Sequence, residues 1–477
     1  MKIVIYGNSI AAYLSSIALS KALDEGSKVS LILPKEQSQS DMLYGGSTSP
    51  DAYDFHLSLG ISEPELLLKT NSAFSFGTHY SNWTDKQLRW VQAFNLPFPS
   101  HFGAEFHQIL LQQKENLQDY LFGAQASLQG RFAHPPQNKP ALPLSRAEYA
   151  YHFDAASIAS FLRERVSQSK VTVHSAELDS VELTQNKTSV KSLRLHTGET
   201  INADFFIDCS GSERKVIAKL QQHADCAFEV KSNMYFSLED RDIAESPRPC
   251  ISATGHQSHW QCEVPLQNKR QLLRVSRQTF ANAEAFQLGH SAKAWLGNCV
   301  AISHAAALLS PHSNASYRLL KRDIERLLEL IPIHSDMDME RKEYNRRYLL
   351  DVDHAGIFCD ALFDTRQKLD KDEMPATARA QDNRADALLN RKIEQFLNRG
   401  LLVNYDLEPF NLEDWSIMHC GMQREPRRRD SLCSSLNQNT IALELNKMKE
   451  AISILVPKVP PCDAYTVKYK EYLKKKS

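Results

Sequence analysis

The chain has 477 residues, room for about three folding units or one large enzyme with subdomains. Its 56 Lys and Arg nearly cancel its 57 Asp and Glu, so no global field draws it to nucleic acid or to an anionic membrane. The 42% hydrophobic and 24% charged content excludes a disordered chain, and 17 glycines are well short of the usual share of ~7%.

The first run, KIVIY (2–6), ends in Gly7. A helical pattern follows from Ile10 to Leu23, then a second apolar run, KVSLILP (28–34), stopped by Pro34. Strand, tight turn, helix and strand open a βαβ unit. Residues 35–53 are polar and read as loop; 63–69 and 104–121 read as helices, and the Pro-rich stretch 131–145 as a connector. An amphipathic helix is predicted over 151–166 with Asp154 in its first turn. Strands follow at 171–174, 177–184, 189–196 and 204–211, a hairpin at 260–266 and 270–276, and a helix at 315–331 bounded by Pro332. Beyond about 340 the chain turns helical and charged, with an acidic and basic stretch at 365–397, and KYKEYLKKKS reads as a frayed, solvated tail. Nine cysteines without C-x-x-C spacing predict reduced, buried thiols in a cytoplasmic protein. No uninterrupted apolar run reaches the ~18 residues of a transmembrane helix, and Gly7, Asn8 and Ser9 interrupt the N-terminal stretch too early for a signal peptide. His101 and His107 stand apart from other ligand types, so no metal site is expected.

A βαβ opening can place a dinucleotide pyrophosphate at the N-terminus of its helix, where free N–H groups and the positive end of the dipole meet it. The usual fingerprint, G-x-G-x-x-G, reads here as Gly7, Ser9 and Ala12. Glu36 is the nearest candidate for the acid that binds ribose. By itself this segment fits a nucleotide-binding turn and an ordinary βαβ start equally well.

Several further segments, in order, resemble the flavin-dependent tryptophan halogenases. These are IVIYGNSIAAY, MLYGGSTSP (42–50), LGISEPELL (59–67), NSAFSFGTHYSNW (71–83), AEYAYHFDAASIASFLRERV (147–166), FFIDCSG (205–211), HWQCEVPL (259–266), GNCVAISHAAALLSPHSNASYRLLKRDIERLLELIP (297–332), EYNRR (343–347) and NLEDWSIMHCGMQREP (411–426). The resemblance implies an α/β fold: a Rossmann-like, FAD-binding flavin monooxygenase fold with an added, largely helical substrate-covering domain. It implies FAD reduced by a separate flavin reductase. In that family the reduced flavin forms a hydroperoxide that halide attacks, and hypohalous acid travels to a lysine beside the indole, with a glutamate nearby.

Each of those parts is altered here. The family lysine position is Ser75, which carries no charge and forms no chloramine. Lys69, at ~3.3 Å per residue of strand, lies too far away to replace it, and so does Lys86. The family segment L-E-P-L-E-S-T-G reads LSPHSNAS (309–316): the glutamates become Ser310 and Ser313, the Thr-Gly halide pair becomes Ala315-Ser316, and Pro311 remains. The W-x-W-x-I-P tunnel motif keeps Trp260 and Pro265 but has Cys262 for its second Trp. Where the family has glycine, this chain has Asn8, Ser9, Ala12, Ser303, Ala307 and Ser316.

The resemblance with these departures sets the expectations. Residues 1–335 should form the FAD domain, with substrate-side segments inserted at about 54–150, and 336–477 a helical C-terminal region. FAD should meet Gly7, Ser9, Ala12, Gly45, Ser47, Thr48, Gly211 and Pro311. Ser75, Trp260 and Pro265 should line the substrate side. His304 and His312 are acid or base candidates beside the flavin, against the plainer reading of structural histidines. The partners implied are a flavin reductase and a small aromatic or peptidyl substrate, without nucleic acid or membrane; a homodimer is left open. Three functions follow: an FAD-dependent monooxygenase using the flavin hydroperoxide on a tryptophan-like or peptidyl substrate, a degenerate paralogue that acts by binding, and a genuine tryptophan halogenase, against which the lost residues argue.

Overall fold

The computed structural model describes all residues except 85–86, 99, 102, 225, 244–245, 333–335, 365–382 and 477, and only the backbone of 383–386. Lys86 and the first half of the charged stretch 365–397 therefore lie outside the described residues.

The predicted βαβ opening forms as β1 (Lys2–Tyr6), α1 (Ile10–Ala22) and β2 (Lys28–Leu33). They belong to a six-stranded sheet whose order is Trp295–Leu296, Cys299–Ala301, Phe205–Asp208, β1, β2, Thr172–Ser175. Every neighbouring pair is parallel except the Trp295–Leu296 edge. Ile3 to Tyr6 are all buried, because a parallel strand covered on both faces is apolar throughout. α1 is buried on all sides from Ile10 to Leu19, which is why its sequence lacks a polar stripe. The helix Ala155–Ser167 packs beside it, and its N-cap Asp154 accepts from Ala156 N at 3.0 Å. The strand Ala150–His152 precedes that helix, so the expected helix start at 151 moves four residues on.

A second sheet has eight strands, in the order 307–308, 284–291, 228–241, 270–276, 259–265, 251–255, 77–83, 88–93. The predicted hairpin is its antiparallel pair His259–Pro265 and Arg270–Ser276, with Trp260 opposite Val275. Segments from the interval 54–150 thus complete this sheet. One apolar core runs through both sheets and into the helices Ala315–Glu329, Asp338–Ala361 and Leu412–Gly421.

Three local expectations change. The stretch 104–121 breaks into the helix Phe106–Gln113 and a 3-10 turn at Leu117–Tyr120, because Lys114 ends the helix with φ +57°. The loop 35–53 contains a 3-10 turn at Gln39–Leu43 and the helix Ala52–Ser58. The lysine-rich end is not a frayed tail but part of the helix Cys462–Lys476. Tyr465 and Tyr469, four residues apart and so on one face, hold it down: Tyr469 OH donates to Glu63 (2.9 Å), and Tyr465 OH bonds His134 Nδ1 (2.7 Å). The lysines mark only its wet side.

All nine cysteines are free thiols, eight of them buried. Among the described residues no helix is long and apolar enough to cross a membrane.

Candidate functional site

Gly7 has φ +148°, and a Cβ there would collide with Cys209 O, so the turn lies tight against the end of the strand Phe205–Asp208. Ser9 caps α1: its Oγ accepts from Ala12 N (3.1 Å) and donates to Cys209 O (2.7 Å). Asn8 Nδ2 donates to Pro34 O and Lys35 O, and Asn8 O accepts from Ser38 N (2.8 Å). These bonds draw the chain that follows β2 back over the turn. Asp41 arrives there with its Oδ2 accepting from Ile10 N at 3.0 Å. On the far side, a Cβ at Gly211 (φ +66°) would strike the hydroxyls of Ser38 and Ser40. Every residue from Gly7 to Ala12 is buried, while Glu36, the ribose-acid candidate, is exposed.

A pyrophosphate needs the N–H groups of such a turn facing open space. Here Ile10 N–H is bonded to Asp41, Ala12 N–H to Ser9, and Pro34, Lys35 and Ser38 are tied over the turn by Asn8. The residues as placed do not fit FAD.

The segment 42–50 packs on the other residues expected beside the flavin. Gly45 (φ +81°) and Gly46 (φ +68°) permit a close approach in which a Cβ would strike Ser313 O and Val264 respectively. Ser47 bridges to His152, and Thr48 N donates to Tyr151 O at 2.9 Å. Tyr44 stacks on His304 with centroids 4.2 Å apart, and its hydroxyl bonds Ser303 Oγ at 2.8 Å. Ser303 holds φ +58°, a conformation suited to glycine, and its N–H donates to Asp323 Oδ2 at 2.9 Å. Burial pushes Asp323 up to about 6 although Arg326 opposes it. Burial drives His304 and His312 down to about 3. Burial thus favours the neutral ring in both.

Ser75 sits in the strand Ala73–Ser75, paired with Ala150–His152, fully buried, with its Oγ accepting from Gly77 N at 3.2 Å. Lys69 pairs with Glu164 and is 44% exposed, so it supplies no substitute amine. Ser313 Oγ lies 3.4 Å from Cys359 Sγ. It lines a cavity of about 30 Å³ with Ser47, Tyr80, Arg318, Phe358 and Phe410. A cavity that takes benzene is ~150 Å³, so this one holds a water, not an indole. A second cavity, about 20 Å³, lies between α1 and Tyr317, and a third is an open groove along 387–401. Around the retained Trp260, its ring meets His312 edge-on at 5.7 Å, His312 meets Phe363 at 4.7 Å, and Phe363 stacks on Trp83 at 5.1 Å. Pro265 O accepts from His152 Nδ1 at 3.1 Å, and Pro311 is buried beside Gly45.

Sequence reasoning missed Asp41, Tyr44 and the buried pair Arg318–Asp414, 3.4 Å apart with Arg318 over the Phe410 ring at 4.6 Å. Asp414 had a signal: Asn411 and Asp414 form a capping box, legible as N-x-x-D before an apolar run. Asp41 had none, since a lone acid in a polar loop carries no periodicity.

These two sheets with a helical C-terminal region make a Rossmann-like, FAD-binding monooxygenase-type fold. The family model described as tryptophan halogenase matches residues 2–438, and the chain belongs to that family. It is 25% identical over 407 residues to tryptophan 7-halogenase KtzQ of Kutzneria sp. (strain 744), covering 76% of this chain and 75% of that one. It is 24% identical over 410 residues to tryptophan 7-halogenase RebH of Lentzea aerocolonigenes, covering 76% of each. In structure it resembles BrvH, a flavin-dependent halogenase from Brevundimonas sp. BAL3, with TM-score 0.86 at 22% identity over 98% of this chain and 99% of that one. The tryptophan halogenase of Shewanella frigidimarina matches with TM-score 0.80 at 16% identity over 99% and 98%.

Proposed function

We propose that this chain is a non-halogenating member of the tryptophan halogenase family that works by binding rather than by flavin chemistry. The observation that carries this reading is the covered turn: Gly7 to Ala12 are buried beneath residues 34–41, with Asp41 bonded to the first N–H of α1. Three further features support it. Ser75 and Ser313 stand at the lysine and glutamate positions, the cavity beside Ser313 is about 30 Å³, and aromatic side chains pack around the retained Trp260. Nine cysteines outside any disulfide, eight of them buried, favour a reducing, cytoplasmic setting. The reading keeps 1–335 and 336–477 as the two regions of the chain.

A second reading, FAD-dependent monooxygenation of a tryptophan-like or peptidyl substrate, is favoured by the retained positive-φ glycines Gly7, Gly45, Gly46 and Gly211. It requires residues 34–41 to leave the turn and a separate flavin reductase to supply electrons. Titration of the purified protein with FAD separates the two. The binding reading expects no retained flavin absorbance, no thermal shift, and no oxygen uptake above that of the reductase alone. Tight FAD binding with substrate oxygenation, or a halogenated product by mass, would overturn it.

A further inference from the structure

We propose that Asp41 is a built-in anion that stands in for a dinucleotide pyrophosphate at the N-terminus of α1, and that the segment Pro34–Asp41 thereby holds the family's cofactor site closed. The proposal rests on the non-flavin reading above and deepens it by naming what occupies the site.

Three independent features point the same way. First, the carboxylate is where an anion would be. Asp41 is 2% exposed, and its Oδ2 accepts from Ile10 N and from Gln37 Nε2, both at 3.0 Å. Its Oδ1 is buried with no hydrogen-bond partner. A buried carboxylate with an unpartnered oxygen is costly, and the positive end of a thirteen-residue helix is among the few protein features that offset such a cost. Burial works against the charge, raising Asp41 to about 7 although the bonds from Gln37 and Ile10 lower it, so the carboxylate form prevails above that pH and the case for the anion rests on the geometry. Second, the segment is fastened at several points along its length. Asn8 Nδ2 holds the carbonyls of Pro34 and Lys35, and Asn8 Oδ1 accepts from Tyr13 OH at 2.6 Å. Lys35 N donates to Glu177 (2.7 Å), Ser38 N donates to Asn8 O (2.8 Å), and Asp41 N donates to Ser38 O (3.1 Å). Third, the contacts use residues that replace glycine. Asn8 supplies four of these bonds, and Ser9 supplies the cap that takes Ala12 N–H. Glycine at 8 would remove the three bonds of the Asn8 side chain and leave only the backbone bond to Ser38 N, and glycine at 9 would free Ala12 N–H. Ser38 and Ser40 complete the closure by covering Gly211.

The proposal is tested on the full chain by hydrogen exchange at the Ile10 and Ala12 amides and by pyrophosphate and ADP titration of wild type, Asp41→Ala and Asp41→Asn. Wild type should show protected amides and no thermal shift with pyrophosphate. Asp41→Ala should lower Tm, speed Ile10 exchange by about tenfold or more, and recover Tm when pyrophosphate is added, with ADP acting likewise. Asp41→Asn keeps an acceptor and loses the charge, so it should fall between the two. Should Asp41→Ala fail to fold, Asn8→Ala unties the segment with the carboxylate intact and should also speed Ile10 exchange. Unchanged Ile10 protection in the Asp41 variants, or pyrophosphate binding equal to wild type, overturns the proposal. FAD binding by wild type sinks the non-flavin reading instead. Even then Asp41→Ala must bind FAD more tightly than wild type, or the proposal fails as well.

Discussion

Glu63 offers the most quantitative test of how the C-terminal helix is held. Its Oε2 accepts from Tyr149 OH (2.8 Å) and Tyr151 OH (2.6 Å); its Oε1 accepts from Tyr469 OH (2.9 Å) and lies 3.0 Å from His134 Nε2. Burial alone would raise its pKa, but the bonds from His134, Tyr151 and Tyr149 outweigh it and hold the carboxyl at about 2 against an ordinary 4.5. At ~1.4 kcal/mol for each tenfold change in acidity, that is about 3 kcal/mol of stability at neutral pH. A depressed carboxyl contributes its stability above the unfolded value, near 4.5, and loses it as pH falls toward 2. Glu63→Gln should therefore cost about 3 kcal/mol at neutral pH and roughly half of that near pH 3. The assay is the urea midpoint of variant and wild type at both pH values, with hydrogen exchange across Cys462–Lys476 at neutral pH. Raised-pKa groups such as Asp41 and Asp323 titrate in both proteins and cancel in the difference. An equal penalty at the two pH values, or unchanged exchange in the C-terminal helix, would refute the reasoning.

Other outcomes follow from the same geometry. Ser75→Lys, alone or with Ser313→Glu, should yield no halogenated tryptophan by mass spectrometry and should lower Tm, because it places an ammonium at a fully buried site at a cost of several kcal/mol. Gly7→Ala should lose at least ~1–3 kcal/mol for its backbone conformation, besides the collision with Cys209 O. Gly26→Ala, whose Cβ would make only an ordinary contact with Asp24 Oδ1 at 3.6 Å and whose φ is not positive, should stay within ~0.5 kcal/mol in the same urea titration. Thiol labelling of the native protein should be slow at every cysteine, since burial pushes Cys262, Cys359 and Cys420 up to about 12. All nine should react promptly once the chain is unfolded.

Much of the frame was legible because its signals are local. KIVIY and KVSLIL are short, mostly apolar runs bounded by turn residues, the mark of a covered strand, and Asp154 sits where a cap belongs. Order along the chain carried the family, since segments from 2 to 430 kept their sequence. The losses at Ser75 and Ser313 were legible as substitutions. What filled the vacated space was not. Asp41 reaches α1 through a polar loop, and Tyr44, His304 and Ser303 meet across 259 residues of chain. Contacts of that kind depend on the packing of two sheets, which no period of 2 or 3.6 encodes. The tail failed for the opposite reason: lysines are conspicuous, whereas the two tyrosines that dock it look like any others.

Glu63 and Tyr469 are separated by 406 positions, and between them pass the whole eight-stranded sheet, four of the other sheet's six strands and most of the helices. A chain emerging from the ribosome must therefore present Glu63, and the strand Ala73–Ser75 beside it, well before the helix that covers them has been made. Until then the carboxylate lacks one of its hydroxyl partners and the rings of Phe74 and Phe132 lack their outer wall. The return of the C-terminus to one of the earliest helices is a closure of high contact order, and such closures are slow. Its slow phase should be sensed by Tyr469 and absent from α1 and β1, whose contacts are already in hand.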